Sequence, residues 1–159
     1  MTAKTEFTDE EWVRIRRAPM MAGMAISLAD PGGPIELTHE TMATMKAISA
    51  PPVQEELLVA VSQDVMAMTQ QKQNPVADFK PDKGTPPGPQ ILEELRGVMG
   101  IIRAMATPAE ADGFAAWMVT VTQAAADAAK EGGFMGFGAT RVSEGEQAML
   151  AQVKEAVGA

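Results

Sequence analysis

The sequence predicts an all-α fold: a single compact bundle of about six helices joined by a long proline-rich crossover loop. Apolar residues recur at three- and four-residue spacing along most of the chain, and Ser/Thr-x-x-Glu capping boxes mark several helix starts. No segment shows the sustained alternation of polar and apolar residues that is typical of strands. A length of 159 residues suits one hydrophobic core, so we expect a single helical domain over 1–159.

The first predicted helix covers 9–29 and begins at a capping box formed by Thr8 and Glu11. Pro19 lacks the N–H that an inner helical position needs, so we expect the helix to kink or restart there. The stretch 20–28 is apolar on nearly all sides and rich in small residues. This pattern is typical of a helix at the centre of a bundle or at a subunit contact.

The second and third predicted helices cover 35–49 and 53–72, and each has one apolar stripe for the core. In the second helix the residues expected to face inward are Met42, Met45 and Ile48. In the third they are Val53, Leu57, Val61, Val65 and Met68.

The segment 73–89 contains five prolines and two glycines, which predict an irregular crossover loop over the outside of the bundle. Three helices are predicted after it, over 90–106, 108–131 and 144–157. Capping boxes at Thr107/Glu110 and Ser143/Glu146 open the last two helices. The residues of the fourth helix that are expected inward are Ile91, Leu95, Val98, Ile102 and Met105.

The composition leaves few groups for catalysis, since Cys and Tyr are absent and there is a single His. We therefore expect no enzyme activity and no cofactor. The net charge of −8 repels phosphate backbones, which argues against a nucleic-acid partner. No apolar run reaches the roughly 20 residues of a membrane span, and the amino terminus does not have the pattern of a secretory signal, so we expect a cytoplasmic protein.

One group of residues has a spacing that occurs in metal sites. His39, Met42 and Met45 follow one another at three-residue steps, and their imidazole and thioether groups are ligands that suit a soft metal such as Cu(I). Methionine at helical spacing is more often adaptable core packing, so a metal site is not expected. Glu40 and Glu94 lie on different predicted helices and would meet only if the fold formed a cleft between them. The basic cluster Arg14, Arg16 and Arg17 is interpreted as a solvated helix face.

The most unusual local sequence is 131–138, in which Phe134, Met135 and Phe137 alternate with four glycines. One interpretation is a tight turn that folds the rings back onto the bundle. The other is an apolar clasp for a partner helix or a small ligand, because exposed aromatic loops often mark interaction surfaces.

Thirteen methionines without catalytic groups favour a non-enzymatic binding or assembly protein, whose partner is another protein or a second copy of the chain. The candidate contact residues are Phe134, Met135, Phe137, Met20, Met21 and Met24. The alternative hypothesis is a carrier for a small apolar ligand held between helices. Copper binding through His39 and the methionines is a third hypothesis, ranked below these two.

Three segments, 18–24, 30–34 and 131–146, give the chain a resemblance to known sequences. In these segments, the chain resembles a group of uncharacterised small bacterial all-helical proteins. The resemblance implies a helical fold and implies no activity and no site residues.

Overall fold

The computed structural model describes residues 2–131 and 142–159, without the side chains of 130 and 131. Within these ranges the chain forms six α-helices and no strand, which confirms the all-α prediction. A 3₁₀ turn at Lys4–Glu6 precedes them. The helices are α1 Asp9–Ala29, α2 Pro34–Ser49, α3 Glu56–Gln70, α4 Pro87–Met105, α5 Pro108–Glu131 and α6 Glu144–Val157. None of them has a stretch both apolar and long enough to cross a bilayer in the part that is described.

Helices α1 and α5 form the centre of the bundle, and α1 packs against each of the other five helices. The predicted central stretch of α1 is buried: Met21, Ala22, Ala25 and Ile26 are all inaccessible to solvent. They meet Phe114 and the rest of the inner face of α5 in one continuous core. The largest fully buried side chains of this core are Ile15, Met21, Ile26, Ile48, Leu57, Leu58, Ile91, Leu95, Met99, Ile102, Phe114 and Trp117.

The predicted capping boxes form as expected at the start of α1 and α6. The Thr8 hydroxyl accepts from the Glu11 amide at 3.2 Å, and the Glu11 carboxylate accepts from the Thr8 amide at 2.9 Å. Ser143 and Glu146 make the same pair of bonds at 3.2 and 2.9 Å. These side chains satisfy amides that have no partner inside the helix, so each box fixes where its helix begins.

Pro19 does not restart α1, which is one helix of 21 residues, so only the restart is excluded and the kink stays a prediction. Pro19 cannot donate the helical hydrogen bond to the Ile15 carbonyl. Both residues are buried in the apolar core. Packing on this face offsets the loss of one backbone hydrogen bond, since tertiary contacts supply most of a helix's stability.

The starts of α3 and α4 differ from the predicted ones. Helix α3 begins at Glu56 rather than at 53, and Val53 lies outside the helix and is exposed. Helix α4 begins at Pro87 rather than at 90 because proline suits the first turn, where amides lack helical partners. The irregular loop is therefore 71–86 instead of 73–89.

This loop lies against α1 and is held there by specific contacts. The Arg17 guanidinium stacks 5.5 Å from the ring centroid of Phe79 and pairs with the Asp78 carboxylate at 3.2 Å. At the other end of the loop, the Gln90 side-chain oxygen accepts from the Asp82 amide at 2.7 Å, and its nitrogen donates to the Thr85 carbonyl at 3.0 Å. The proline-rich crossover is thus a packed part of the bundle surface.

The last turn of α2 is joined to two other helices by side-chain donors. The carbonyls of Ala47 and Ile48 would normally accept from the amides four residues later, but those residues are Pro51 and Pro52. Trp117 of α5 donates its indole N–H to the Ala47 carbonyl at 3.1 Å, and the Ser62 hydroxyl of α3 donates to the Ile48 carbonyl at 2.8 Å. These bonds replace the missing ones and fix α2 in place.

Two residues predicted to face inward are exposed within regular helix. Met42 of α2 is 66% exposed, and Met105, the last residue of α4, is 46% exposed. In α2 the buried residues are Glu40, Thr44 and Ile48, so two of the three are polar. The prediction failed because it assigned the inward face of α2 from hydrophobicity alone.

Candidate functional site

A small cavity of about 200 Å³ lies between the second half of α1 and the middle of α2. Its wall is mostly apolar, and its polar groups come from a carboxyl and three hydroxyls. The lining residues are Met20, Gly23, Met24, Ser27, Leu28, Leu37, Glu40, Thr41 and Thr44.

The cavity depends on a close approach of the two helices at Gly23. A Cβ atom added to Gly23 would lie within 3.0 Å of three side-chain atoms of Thr44, closer than real contacts allow. Glycine therefore permits α1 to touch α2 at this point. Met20 and Met24 lie on either side of this contact in sequence and line the cavity from α1, while Leu37 and Thr41 line it from α2.

Glu40 is the one ionisable residue in the cavity wall, and it is only 3% exposed. Its carboxylate accepts a hydrogen bond from the Ser27 hydroxyl. Burial raises the pKa of Glu40, and the negative charges of Glu146, Glu36 and Asp30 raise it further, although the Ser27 bond acts in the opposite direction. The cavity therefore combines an apolar wall with a carboxyl that holds its proton to higher pH than a free glutamate does.

The C-terminal end of α1 and the N-terminal ends of α2 and α6 bring acidic residues together near this cavity. Burial also raises the pKa of Glu146, and the charges of Asp30 and Glu36 contribute to the rise. Among the side chains of 2–129 and 142–159, no lysine or arginine forms an ion pair with Asp30, Glu36, Glu40 or Glu146. No set of three His, Asp or Glu side chains in the described part is arranged to hold a metal ion.

Two apolar side chains of the cavity wall are partly exposed. Leu37 of α2 is 52% exposed and Leu28 of α1 is 38% exposed. We call this pair the apolar rim, defined as Leu28 and Leu37. Ile35 and Met42 are each 66% exposed, but the turn of about 100° per residue places them on the side of α2 opposite Leu37 and Thr44, away from the cavity.

The structure assigns different surroundings to the predicted contact residues. Met20 and Met24 line the cavity, whereas Met21 is fully buried in the core and is not available for contact. Met21 was grouped with them because the whole stretch is apolar, which does not reveal which side of the helix faces α2. Phe134, Met135 and Phe137 lie outside the described residues.

The three predicted soft-metal ligands do not line a common cavity. His39 and Met42 border an open surface depression with Ala43, Lys46 and Ala128. Met45 is partly buried against the core. Three-residue steps rotate successive side chains by about 60° around a helix of 3.6 residues per turn, so the third residue has turned away from the first.

The basic cluster has a structural role, which corrects the interpretation of a solvated face. Arg14 and Arg17 donate to the Glu94 carboxylate at 2.7 and 3.0 Å, joining α1 to α4. Burial acts to raise the pKa of Glu94, but these bonds outweigh it, and the pKa is lowered. Glu94 and Glu40 therefore have separate partners and do not form the acidic pair considered from the sequence.

Ser27, Leu28, Leu37 and Glu40 were not identified as site residues from the sequence. One signal was available for Glu40. Residues four apart share one side of a helix, so Glu40 and Thr44 lie on the same side of α2 as Ile48, which was predicted to face inward. The exposure of Leu37 had no sequence signal, because it depends on how α2 is rotated against α1 and α5.

Replacing Gly23 with alanine is expected to destabilise the fold by about 1 kcal/mol, since overpacking costs about 1–3 kcal/mol and helix propensity returns about 1 kcal/mol. Gly100 of α4 is the matched control because nothing lies within 4 Å of an added Cβ there. G100A should stabilise the protein by up to about 1 kcal/mol. Urea unfolding of G23A, G100A and the double variant G23A/T44A measures both effects. Equal stabilisation by G23A and G100A would contradict the close contact, whereas T44A should reduce the cost of G23A.

The chain was compared with protein-family models, curated protein sequences and solved structures, and none of the three comparisons gave a match. The function therefore has to be argued from the geometry of the site.

Proposed function

We propose that this protein is a non-catalytic binding protein whose α1–α2 face receives apolar side chains of another polypeptide. The observation that carries the proposal is the cavity between α1 and α2, whose mostly apolar wall includes the partly exposed Leu28 and Leu37 of the apolar rim. A partner side chain that fills the cavity and covers the rim removes this apolar surface from water.

The size of the cavity favours a side chain over a free ligand. Pockets for drug-sized molecules and cofactors hold about 300–1,000 Å³, and an apolar cavity of about 150 Å³ holds benzene. The cavity of about 200 Å³ fits one aromatic or branched aliphatic side chain. Met20 and Met24 have unbranched, flexible side chains, so they can adapt to the shape of such an anchor.

The same cavity supports the second candidate, a carrier of a small apolar ligand. Its apolar wall suits such a ligand, but its volume limits the ligand to the size of a single ring or a short chain. Self-association through this face would bring two copies of Asp30 and Glu36 together, which like-charge repulsion opposes. The prediction that the Phe134/Phe137 segment contributes a clasp stays a prediction.

The acidic side chains Glu94 and Glu110, whose pKa values are lowered, are held by structural partners, which supports a non-catalytic function. Glu94 is bonded to Arg14 and Arg17. Glu110 accepts hydrogen bonds from Thr2 and Thr107.

Selection from a displayed library of amphipathic helical peptides is the experiment that tests the proposal. Peptides that bind the protein are expected to lose about tenfold in affinity or more when Leu37 is changed to glutamine, because one buried apolar side chain is worth about 1.5–3 kcal/mol. Met105→Gln is the matched control, since Met105 is similarly exposed but lies at the end of α4. Affinities are measured by isothermal titration calorimetry.

Two results would contradict the proposal. One is that no peptide is enriched, or that the enriched peptides respond equally to L37Q and M105Q. The other is that native mass spectrometry of the purified protein finds one small apolar molecule bound per chain, and that L37Q abolishes its binding. This result would favour the carrier.

A further inference from the structure

We infer that the side chain that fills the cavity between α1 and α2 is a tyrosine of the partner polypeptide, whose phenol hydroxyl bonds to Thr44 and Glu40. This inference rests on the proposed function and adds the chemistry of the anchor. It joins two observations: polar groups without hydrogen-bond partners line the cavity, and the cavity has room for one aromatic ring.

Thr44 is an exception among the buried polar side chains of this protein. Buried polar groups are nearly always hydrogen-bonded, because the water removed from them has to be replaced. Among the side chains of 2–129 and 142–159, seven polar ones are buried, and six of them make at least one hydrogen bond. These six are Thr2, Glu40, Ser62, Glu110, Thr122 and Glu146. Thr44 is only 3% exposed and is not bonded to any described residue.

The other threonines of α2 show what Thr44 lacks. The Thr38 hydroxyl donates to the Pro34 carbonyl at 2.8 Å. The Thr41 hydroxyl donates to the Leu37 carbonyl at 2.7 Å. A threonine inside a helix often makes this bond to the carbonyl four residues earlier. Thr44 does not make it, so its hydroxyl remains free to bond another molecule.

Glu40 supplies a second free group beside the Thr44 hydroxyl. One oxygen of its carboxylate accepts from Ser27, and the other has no donor among the residues that the structure describes. Glu40 and Thr44 are four residues apart, so they are neighbours on one side of α2, and both line the cavity. Neither free oxygen is fully enclosed by protein, so one group in the cavity can reach both.

A phenol hydroxyl matches this pair of groups. It can donate to the Glu40 carboxylate and accept from the Thr44 hydroxyl at the same time. An indole N–H only donates, so it would satisfy the carboxylate alone, and phenylalanine or leucine would satisfy neither group. A lysine ammonium could pair with the carboxylate, but it would lose its hydration in a mostly apolar cavity.

The volume of the cavity also fits a phenol. A cavity of about 150 Å³ holds benzene, so one of about 200 Å³ has room for a ring that carries a hydroxyl. Met20 and Met24 suit such a ring from the α1 side, because thioether sulfur makes favourable contacts with aromatic rings. The hydroxyl then lies toward Glu40 and Thr44 on the α2 side.

A double-mutant cycle between peptide and protein tests the inference. Alanine scanning of a peptide enriched from the displayed library finds its anchor position, which is then filled with tyrosine, phenylalanine, tryptophan or lysine. In isothermal titration calorimetry with the wild-type protein, the tyrosine peptide is expected to bind about tenfold more tightly than the phenylalanine peptide. Thr44→Val keeps the shape of the side chain and removes the hydroxyl, so it should reduce this ratio about threefold or more.

Thr38→Val is the matched control for Thr44→Val. It makes the same substitution on α2 at an exposed residue that does not line the cavity. T38V should leave the ratio of the tyrosine and phenylalanine affinities unchanged. Equal reductions of this ratio by T38V and T44V would overturn the inference.

Urea unfolding of the free protein tests whether the Thr44 hydroxyl is unbonded there. T44V should be at least as stable as the wild type, because it removes a buried hydroxyl that has no partner. The comparison is T122V, since the buried Thr122 hydroxyl donates to the carbonyls of Ala22 at 3.1 Å and Met118 at 2.9 Å. T122V is expected to raise the equilibrium constant of unfolding about fivefold. Equal destabilisation by T44V and T122V would overturn the inference.

The outcomes separate the inference from the proposed function. Peptides that respond to L37Q but bind equally well with tyrosine and phenylalanine, or best with tryptophan or lysine, would overturn the tyrosine anchor and leave the binding function intact. Failure to enrich any peptide would overturn both. If p-cresol, the isolated tyrosine side chain, bound the wild type and not T44V while no tyrosine peptide bound, the ligand would be a free phenol. That result would overturn the polypeptide partner and favour the carrier.

Discussion

Truncation of Trp117 to alanine is expected to lower the free energy of unfolding by about 3–5 kcal/mol. The indole is fully buried and packs edge-on against Phe114, with ring centroids 5.8 Å apart. Its N–H donates to the Ala47 carbonyl, whose usual helical donor is absent because residue 51 is proline. The variant therefore loses core volume and the bond that joins the end of α2 to α5. Urea unfolding followed by circular dichroism measures the change.

The variant Trp117→Phe separates the two contributions. It keeps an aromatic ring beside Phe114 and removes the indole donor to Ala47, whose carbonyl still accepts from the Ala50 amide at 3.4 Å. We therefore expect a cost of about 0.5–1.5 kcal/mol, the net contribution of one hydrogen bond. If W117F were as stable as the wild type, the bond from Trp117 to Ala47 would contribute nothing to stability, and this bond would not anchor the end of α2. A cost for W117A below about 1 kcal/mol would contradict the placement of Trp117 in the core.

Replacement of Glu110 by glutamine is expected to destabilise the protein by about 3 kcal/mol at neutral pH. The carboxylate is 1% exposed, and it accepts from the Thr2 amide at 2.7 Å, the Thr2 hydroxyl at 2.6 Å, and the amide and hydroxyl of Thr107 both at 3.1 Å. All four groups donate, so the NH₂ group of glutamine would face a donor. Although burial acts to raise the pKa of Glu110, these bonds lower it to about 2.

This lowered pKa has a defined effect on the pH dependence of stability. The folded state holds the Glu110 proton less tightly than the unfolded state, whose pKa is near the ordinary 4.5. The stabilisation is therefore complete above pH 4.5 and is lost as the pH falls toward about 2. The difference in unfolding free energy between wild type and E110Q should shrink over this interval. A difference that stays constant between these pH values would contradict a strongly bonded carboxylate.

The sequence predicted the helices well because local chemistry specifies their starts. Two four-residue patterns, from Thr8 to Glu11 and from Ser143 to Glu146, predict capping boxes. The structure has the corresponding side-chain-to-amide hydrogen bonds at the starts of α1 and α6. The predicted start of α4 was three residues too late. Proline fits the first turn of a helix but not its later turns, and the composition does not reveal whether Pro87 lies in a first turn or in a loop.

The candidate site was harder to predict because it depends on rotation and packing. Met20 and Met24, which were predicted as contact residues, line the cavity, but Met21 between them is buried. The orientation of α2 follows from contacts remote in sequence, including Trp117 with Ala47 and Gly23 with Thr44. No periodicity within 34–49 encodes those contacts, so a stripe containing Met42 was wrongly assigned to the core.

The buried polar residues of α2 give a physical reason for its apolar exterior. Glu40 and Thr44 occupy the inner side, where they contact Ser27 and Gly23 of α1. Ile35 and Met42, on the opposite side of α2, are consequently turned outward, whereas Leu37 lines the cavity together with Glu40 and Thr44. An arrangement that exposes apolar surface on one element while burying a carboxyl is expected where a second molecule completes the packing.

The most direct measurement of the central claim is nuclear magnetic resonance of the methionine methyl groups during titration with a peptide enriched from the displayed library. If the α1–α2 face is the binding surface, the methyl signals of Met20 and Met24 shift, and that of Met105 on α4 does not. Shifts confined to Met105 or to other methionines outside the cavity, with Met20 and Met24 unchanged, would contradict the claim.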